Sequence, residues 1–403
     1  MSKYKAIALT QTMLTYEMST KVEESDYIYY KVEDGIRPSK EVAHFQPSED
    51  DLVFNSGTKD WQRLIFPECS EYYEYEEDIY EQFLDYVEDN QIVLPSLVDK
   101  SMTMRFLQAN HYKVKKASED LLSHLDWRVN TLPVLLTTAQ KQFLDDGMFY
   151  IHGRDRNFRP LNVFDPRVVV GKNADKEEIL MIVHFVLQYI IDNMLMPGKV
   201  ENWVGLMDLS NLSLSKIPKK WLGGFIKSCQ ANYKCRGVKS FVLNSSWGVR
   251  MIWKMVSPFI DSNVKKKIIF HDSNKCQEFI DMFHPSQLEK KFGGKARNLD
   301  IYWPPQEVSK EYGVDPDKIK KPAYDDSADA DLSDEDDSVF GEGNHISPID
   351  KNLLFHNKPN PNLEMPIEVE QINIEPISQC IEGKLTSIIS SQIGITLARP
   401  LVL

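Results

Sequence analysis

The segment Cys229-Gln230-Ala231-Asn232-Tyr233-Lys234-Cys235-Arg236 holds the residue types of a thiolate nucleophile backed by a guanidinium that could grip phosphate. A phosphatase loop of that kind needs five residues between Cys and Arg, with Gly among them to aim backbone amides at the anion. Six residues separate Cys229 from Arg236, none separates Cys235 from it, and the stretch has no Gly. It reads as a helix end running into a strand. Asp208 closes an apolar strand and has the chemistry of a catalytic carboxylate, but no partner group stands at a fixed offset, so it reads as a turn cap. Gly-rich phosphate loops, His-Glu-x-x-His and Gly-x-Ser-x-Gly are missing, and the nine His show no metal-ligand spacing. No catalytic residue, metal or cofactor is expected, and the chain reads as a non-enzyme.

A different chemistry is written into residues 247–261. Val249, Ile252, Trp253, Val256, Phe259 and Ile260 recur at helical spacing. Met251 and Met255 widen the stripe, leaving a narrow polar line of Arg250, Lys254, Ser257 and Asp261. Such a helix is either buried in a core or covers something apolar, and methionine suits a surface that repacks around variable hydrophobic partners. Lys265, Lys266 and Lys267 follow at once. Beside an apolar helix they read as a contact for anionic headgroups, worth up to about 1 kcal/mol each near a charged bilayer, or else as a solvated loop end.

The elements that must position these residues change in texture along the chain. Residues 1–60 are polar and irregular, a weakly ordered arm or accessory strand. Residues 61–132 form a helical module, with an acidic helix over 71–90 and two helices over 99–130, the first capped by Asp99. Over 133–305 strands alternate with helices: strands near 149–152, 161–164, 203–209, 240–244 and 267–270, helices over 177–195, 218–232 and 247–261. Such alternation requires crossover connections and a mainly parallel sheet, so the class is α/β. Residues 306–345 read as an acidic disordered linker, and 346–403 as a tail of uncertain structure.

The 403 residues carry a formal charge of −13, concentrated around Glu71, Glu74, Glu76, Glu77 and Asp78 and between Asp325 and Asp337. That balance argues against nucleic acid as a partner. Five scattered Cys with no CxxC pair fit reduced thiols in the cytosol. No secretory signal or membrane span is read, so membrane contact is expected to be peripheral and transient. Ser333, in Leu-Ser-Asp-Glu-Asp-Asp, has the surroundings an acidophilic kinase prefers, and the flanking acids offer a surface to a basic protein partner.

In order along residues 95–305, six segments resemble the CRAL-TRIO lipid-binding family, the lineage of phosphatidylinositol/phosphatidylcholine transfer proteins. They are Met104 to Ala109 with Trp127-Arg128, then Gly153-Arg154-Asp155 with Phe158-Arg159-Pro160, then the strand ending Met207-Asp208-Leu209. Tyr233 to Asn244, Trp247 through Lys267-Ile268, and Leu288 through Phe292-Gly293-Gly294 follow. The resemblance implies a monomer whose helical module precedes a mainly parallel sheet flanked by helices. These enclose an apolar lipid pocket closed by a mobile gate helix. It implies Trp203, Gly205, Met207, Phe241 and Leu243 as pocket lining, Val249, Ile252, Trp253, Val256, Phe259 and Ile260 as the gate, and Lys265 and Lys266 as membrane contacts. Arg236 and Lys267 match two phosphate-binding positions of the phosphatidylinositol-binding members, where Cys235 and Asn110 depart from their Glu and Arg. Trp203 and Gly205 replace the small hydroxyl residues of the phosphatidylcholine-binding members. The implied function is to bind one phospholipid or similar hydrophobic ligand and to transfer or present it between membranes from the cytosol. The alternative is a non-transferring lipid sensor or scaffold of the same fold.

Overall fold

The computed structural model describes residues 36–319, apart from 56–60, 68–71, 171, 173–174, 213–218, 247–248, 251–252 and 255–256. After the short helix α1 (Lys40–His44), Ser48 opens α2 (Glu49–Leu52), its backbone N–H donating to Asp51 Oδ2 at 2.9 Å. Strands β1 (Val53–Asn55) and β2 (Trp61–Arg63) pair antiparallel. Where the sequence suggested a weakly ordered arm or accessory strand, residues 36–55 are packed, with Ile36, Val42 and Phe45 buried.

The helical module is α3 (Glu74–Asp89), α4 (Lys100–Ala109) and α5 (Val114–Thr131). Asp99 Oδ1 accepts the Met102 N–H at 2.6 Å, the cap that starts α4. Phe83, Met104, Leu107, Ala117 and Leu121 form a core closed by Phe66 and Tyr72.

Helix α6 (Thr138–Asp145), capped by Thr137, leads into β3 (Phe149–Arg154) and β4 (Pro160–Phe164). Helix α7 (Lys176–Asn193) connects β4 to β5 (Trp203–Asp208), and α8 (Lys219–Asn232) connects β5 to β6 (Gly237–Leu243). A short α9 (Ser262–Lys265) precedes β7 (Ile268–Phe270), and α10 (Gln277–Asp281) follows. The order is β3-β4-β5-β6-β7, antiparallel only between β3 and β4 and parallel in the other pairs. The α/β class and mainly parallel sheet follow from this alternation.

One face of the sheet packs on the apolar side of α7, with Phe149, Ile151, Phe164 and Trp203 meeting Ile182, Val186 and Ile190. On the other face Tyr150, Leu161, Val163, Val204, Leu206, Phe241 and Leu243 meet Phe279, Phe283, Leu288 and Phe292. Ordered chain continues past residue 305, where the sequence placed the start of a disordered linker. Tyr312 is buried against Phe158 with ring centroids 5.1 Å apart, and Phe158 meets Phe45 at 5.4 Å. Lys318 Nζ bonds Asp51 Oδ2 at 2.6 Å, and Ile319 bridges Phe45. Tyr312, Val314 and Ile319 join Val42, Phe45, Phe158 and Val200 in a small core of their own, and Arg156 Nη1 and Gln287 Nε2 bond the Gly313 and Ser309 carbonyls at 2.8 and 2.6 Å. Residues 320–345 and the tail 346–403, Ser333 included, lie outside the described residues.

Removing the Tyr312 ring (Tyr312→Ala) opens the seam between strap and arm, and is expected to cost roughly 3 kcal/mol in urea unfolding. A loss below about 1 kcal/mol would show that the strap does not contribute to the fold.

Candidate functional site

Strand alternation puts Asn162 and Phe164 of β4, and Trp203, Gly205 and Met207 of β5, on the face that floors a cavity of about 920 Å³. That is near the upper end of the roughly 300–1,000 Å³ usual for ligand pockets. Its walls come from α4 and α5 (Gln108, His124, Trp127), from α8 and the residue after it (Phe225, Cys229, Tyr233) and from the segment after β6 (Val249, Trp253, Ile260).

Four of the five expected lining residues, Trp203, Gly205, Met207 and Phe241, border this cavity. Leu243 does not: it is fully buried on the opposite face, among Phe279, Phe283 and Leu288. Phe241 borders the cavity, but its ring is buried against Phe279, 5.0 Å between centroids. The β6 residues that take the floor are Ser240 and Val242. The β5–β6 register shifts between Trp203↔Gly237 and Val204↔Lys239, leaving Val238 as an extra residue. Such a bulge reverses the alternation, so counting inward positions from Gly237 selects the wrong face.

The expected gate is described in part. Val249 is buried with Leu209 and Val242, Ile260 is 4% exposed, and the Trp253 ring lies 5.0 Å from that of Phe270. Ile252 and Val256, like the side chain of Phe259, lie outside the described residues. The lysine triplet divides: Lys265 and Lys266 are half-buried beside α9, while Lys267 is 7% exposed and lines the cavity. Lys267 Nζ donates to the Gly237 carbonyl at 3.2 Å and lies 5.5 Å from the Phe54 ring centroid. Among the described residues no carboxylate comes within ion-pair distance of it. Burial lowers its pKa, with Arg159 adding to the effect and Cys235 and Asp261 opposing it.

Arg236 takes a different place. It is not among the cavity-lining residues, and its Nη1 donates to the Glu201 carbonyl at 3.1 Å. Burial and the neighbouring Arg105 push its pKa down to about 9, partly offset by Glu201. Glu201, 2% exposed, accepts the Phe66 N–H at 2.8 Å, the Gly198 N–H at 2.7 Å and a short bond from Arg105 Nη2. Burial opposes its ionisation, but Arg105, Arg236 and the two backbone donors hold its pKa below the usual carboxylate range. Arg105, five residues before the Asn110 that the family pattern singles out, is the buried arginine of α4. Asn110 instead caps its own helix, donating to the Phe106 carbonyl at 3.0 Å.

The groups weighed for catalysis have structural partners. Burial pushes the Cys229 thiol up to about 12, away from nucleophilic thiolate. Asp208 accepts from Ser210 N–H at 2.9 Å, from Asn244 Nδ2 at 2.8 Å and from Arg167 at 3.3 Å, which ties together the ends of β5 and β6. Among the described residues no group of three or more His, Cys, Asp or Glu could hold a metal ion, and no helix is long and apolar enough to cross a membrane.

The sequence reading missed an aromatic wall. His124 stacks on Trp127 at 5.4 Å, and Trp127 meets Tyr233 edge-on at 5.9 Å, which in turn meets Trp203 at 6.0 Å. Behind it, His184 Nδ1 and Nε2 lie 3.0 Å from Tyr233 Oη and Ser228 Oγ. These residues come from three helices and a strand, so no local spacing marks them.

The family model for the CRAL/TRIO domain matches residues 144–294. A CRAL-TRIO domain-containing protein of Schizosaccharomyces pombe is 25% identical over 57% of this chain and 24% of its own length. A phosphatidylinositol/phosphatidylcholine transfer protein of Arabidopsis thaliana is 23% identical over 50% of this chain and 58% of its own. Patellin-6 of the same plant is 22% identical over 52% and 54%. The chain thus spans little more than half the length of these relatives, or less. The crystal structure of Sfh5 superposes with a TM-score of 0.48 at 11% identity, over 61% of this chain and 95% of that one.

Two outcomes follow from this geometry. Glu201→Gln leaves Arg105 and Arg236 buried without their counter-charge and is expected to cost about 3–5 kcal/mol in denaturant unfolding. Burial lowers His124, His152 and His184 from 6.5 to about 4. Below pH 6.5 the unfolded chain therefore binds protons that the folded chain refuses, so stability falls as pH drops from about 6.5 towards 4. Melting temperature measured across that range should decline steadily, and His184→Gln should flatten the decline; a flat profile in the parent chain would contradict the buried, neutral imidazoles.

Proposed function

Residues 144–294 belong to the CRAL/TRIO domain family, and on that premise we propose that this chain encloses one phospholipid or similar hydrophobic ligand and carries or presents it between membranes in the cytosol. The observation that carries the reading is Lys267. A buried ammonium in the wall of a largely apolar cavity, bonded only to a backbone carbonyl among the described residues, is costly unless an anion joins it. A phosphate or carboxylate at the end of an apolar ligand supplies that anion, while hydrocarbon fills the space between Trp203, Met207, Phe225 and Val249.

The same arrangement supports exchange at a membrane rather than through water. Burying roughly thirty methylenes at about 0.8 kcal/mol each yields a gross gain on the order of 25 kcal/mol, which forbids useful release into solvent. Val249, Trp253 and Ile260 form the apolar wall that has to move, with Lys265 and Lys266 beside it to meet anionic headgroups. Arg236 stands outside the lining and bonds the Glu201 carbonyl instead.

Mass spectrometry of lipid extracted from the natively purified full chain should find one phospholipid per protein. Transfer of that lipid between donor and acceptor vesicles should then be measurable. Lys267→Ala is expected to weaken uptake of an anionic lipid by about ten- to a hundredfold with little effect on a neutral one. Bound lipid that never exchanges would favour the sensor or scaffold; repeated preparations free of hydrophobic ligand would end the lipid-carrying reading.

A further inference from the structure

Two oxygens converge on the middle of the cavity floor. Asn162, Gly205 and Ser240 stand side by side in register on β4, β5 and β6, and all three line the cavity. Phe164, Trp203, Met207 and Val242 bound this row with apolar surface. Gly205 leaves a notch between its neighbours: a Cβ there would lie 3.0 Å from Ser240 Oγ and 3.5 Å from Asn162 Oδ1. Neither oxygen bonds another described group, and neither is sealed off as Asn162 Nδ2 is, which is buried with no partner. The two sides of the notch differ in kind. The carboxamide oxygen only accepts a hydrogen bond, whereas the serine hydroxyl can turn to donate one.

We infer that the notch above Gly205 is a subsite for a hydroxyl group carried on the ligand's apolar body. A hydroxyl seated there donates to Asn162 Oδ1 and accepts from Ser240 Oγ, so one group serves both oxygens. A ketone or ester oxygen can accept from Ser240 but sets its lone pairs against those of Asn162 Oδ1. A methylene leaves both oxygens unpaired against hydrocarbon. The inference rests on the lipid-carrying reading and adds the chemical class of the cargo. Lys267 precedes the β7 residue that pairs with Ser240, so the row ends beside the buried ammonium. Gly205 lies two strands from β7, roughly 10 Å at the usual strand spacing. The ligand that fits both places is a lipophilic alcohol with an anionic end and its hydroxyl part-way along the hydrocarbon.

The test uses the full chain with parinaric acid as a fluorescent occupant, displaced by stearate, by a positional series of hydroxystearates and by the matching ketostearates. The parent chain is expected to bind one hydroxystearate about tenfold tighter than stearate, and its ketone counterpart no tighter than stearate. Asn162→Leu should bring the ratio of hydroxystearate to stearate affinity to about one, whatever it does to binding as a whole. If Asn162→Leu does not fold, Gly205→Ala in a Ser240→Ala background fills the notch and removes the donor, and should bring the ratio to one equally. A parent ratio near one throughout the series, a ketostearate as tight as its alcohol, or a preference that survives these changes overturns the inference and leaves lipid carriage standing. Failure of parinaric acid and every competitor to bind the parent chain overturns both.

Discussion

Glu201 is a carboxylate that has to stay ionised while almost wholly removed from water. It meets that requirement only because four stretches of chain converge on it: the Phe66 amide from the segment after β2, Arg105 from α4, the Gly198 amide, and Arg236 at the entrance to β6. No single partner would compensate the desolvation of a buried anion. The group can be buried as an ion only when arm, helical module and sheet are all in place, so it ties their folding together. Asn202 extends the junction, its amide reaching the Leu64 and Cys235 carbonyls at 3.0 and 2.8 Å.

The cavity depends on this junction because its walls have separate origins. His124 and Trp127 come from the helical module, Tyr233 from the end of α8 and Trp203 from β5, and they touch through aromatic contacts that have no fixed register of their own. The charged junction fixes the module against the sheet, and the aromatic contacts then shape the wall. Lys116, Asp120, Lys227, Lys234 and Asp261 also line the pocket, and Lys267 is the cation among these that is buried. The site is thus divided into a floor from the sheet and a side wall from the helices, with Trp253 against Phe270 on the remaining side.

Much of the fold was legible in the chain. The stripes of Phe83, Phe106 and Leu121, the Asp99 cap and the alternation of strands with helices each follow from local periodicity, and each has its counterpart in the structure. On β5 the inward face was legible too, since Trp203, Gly205 and Met207 alternate without interruption. On β6 it was not, because the extra residue at Val238 has no sequence signature: it turns Ser240 and Val242 to the cavity and Leu243 away from it, while Phe241 borders the cavity with its ring on Phe279. Arg105 and Glu201 were equally hidden: they are ninety-six residues apart, and each looks like an ordinary charged residue until the fold joins them. The strap escaped notice because Tyr312, Val314 and Ile319 show no local periodicity, and their partners Val42, Phe45, Phe158 and Val200 are all distant in sequence. Asn162 was visible as a polar residue inside the run Leu-Asn-Val-Phe, but only the sheet register places it opposite Gly205.

The strap also has a topological consequence. Arg154 Nη2 donates to the Ile36 carbonyl and Nη1 to the Phe158 carbonyl, and the Phe158 ring touches both Phe45 and Tyr312. The first and last described stretches of chain therefore meet at one seam, and the fold between them is close to a closed loop. A circular permutant, joined across this seam and opened at the exposed turn of Asn90 and Gln91, would retain the Glu201 junction, the sheet order and the cavity. Chain order along this molecule is in that sense a matter of where the loop was cut.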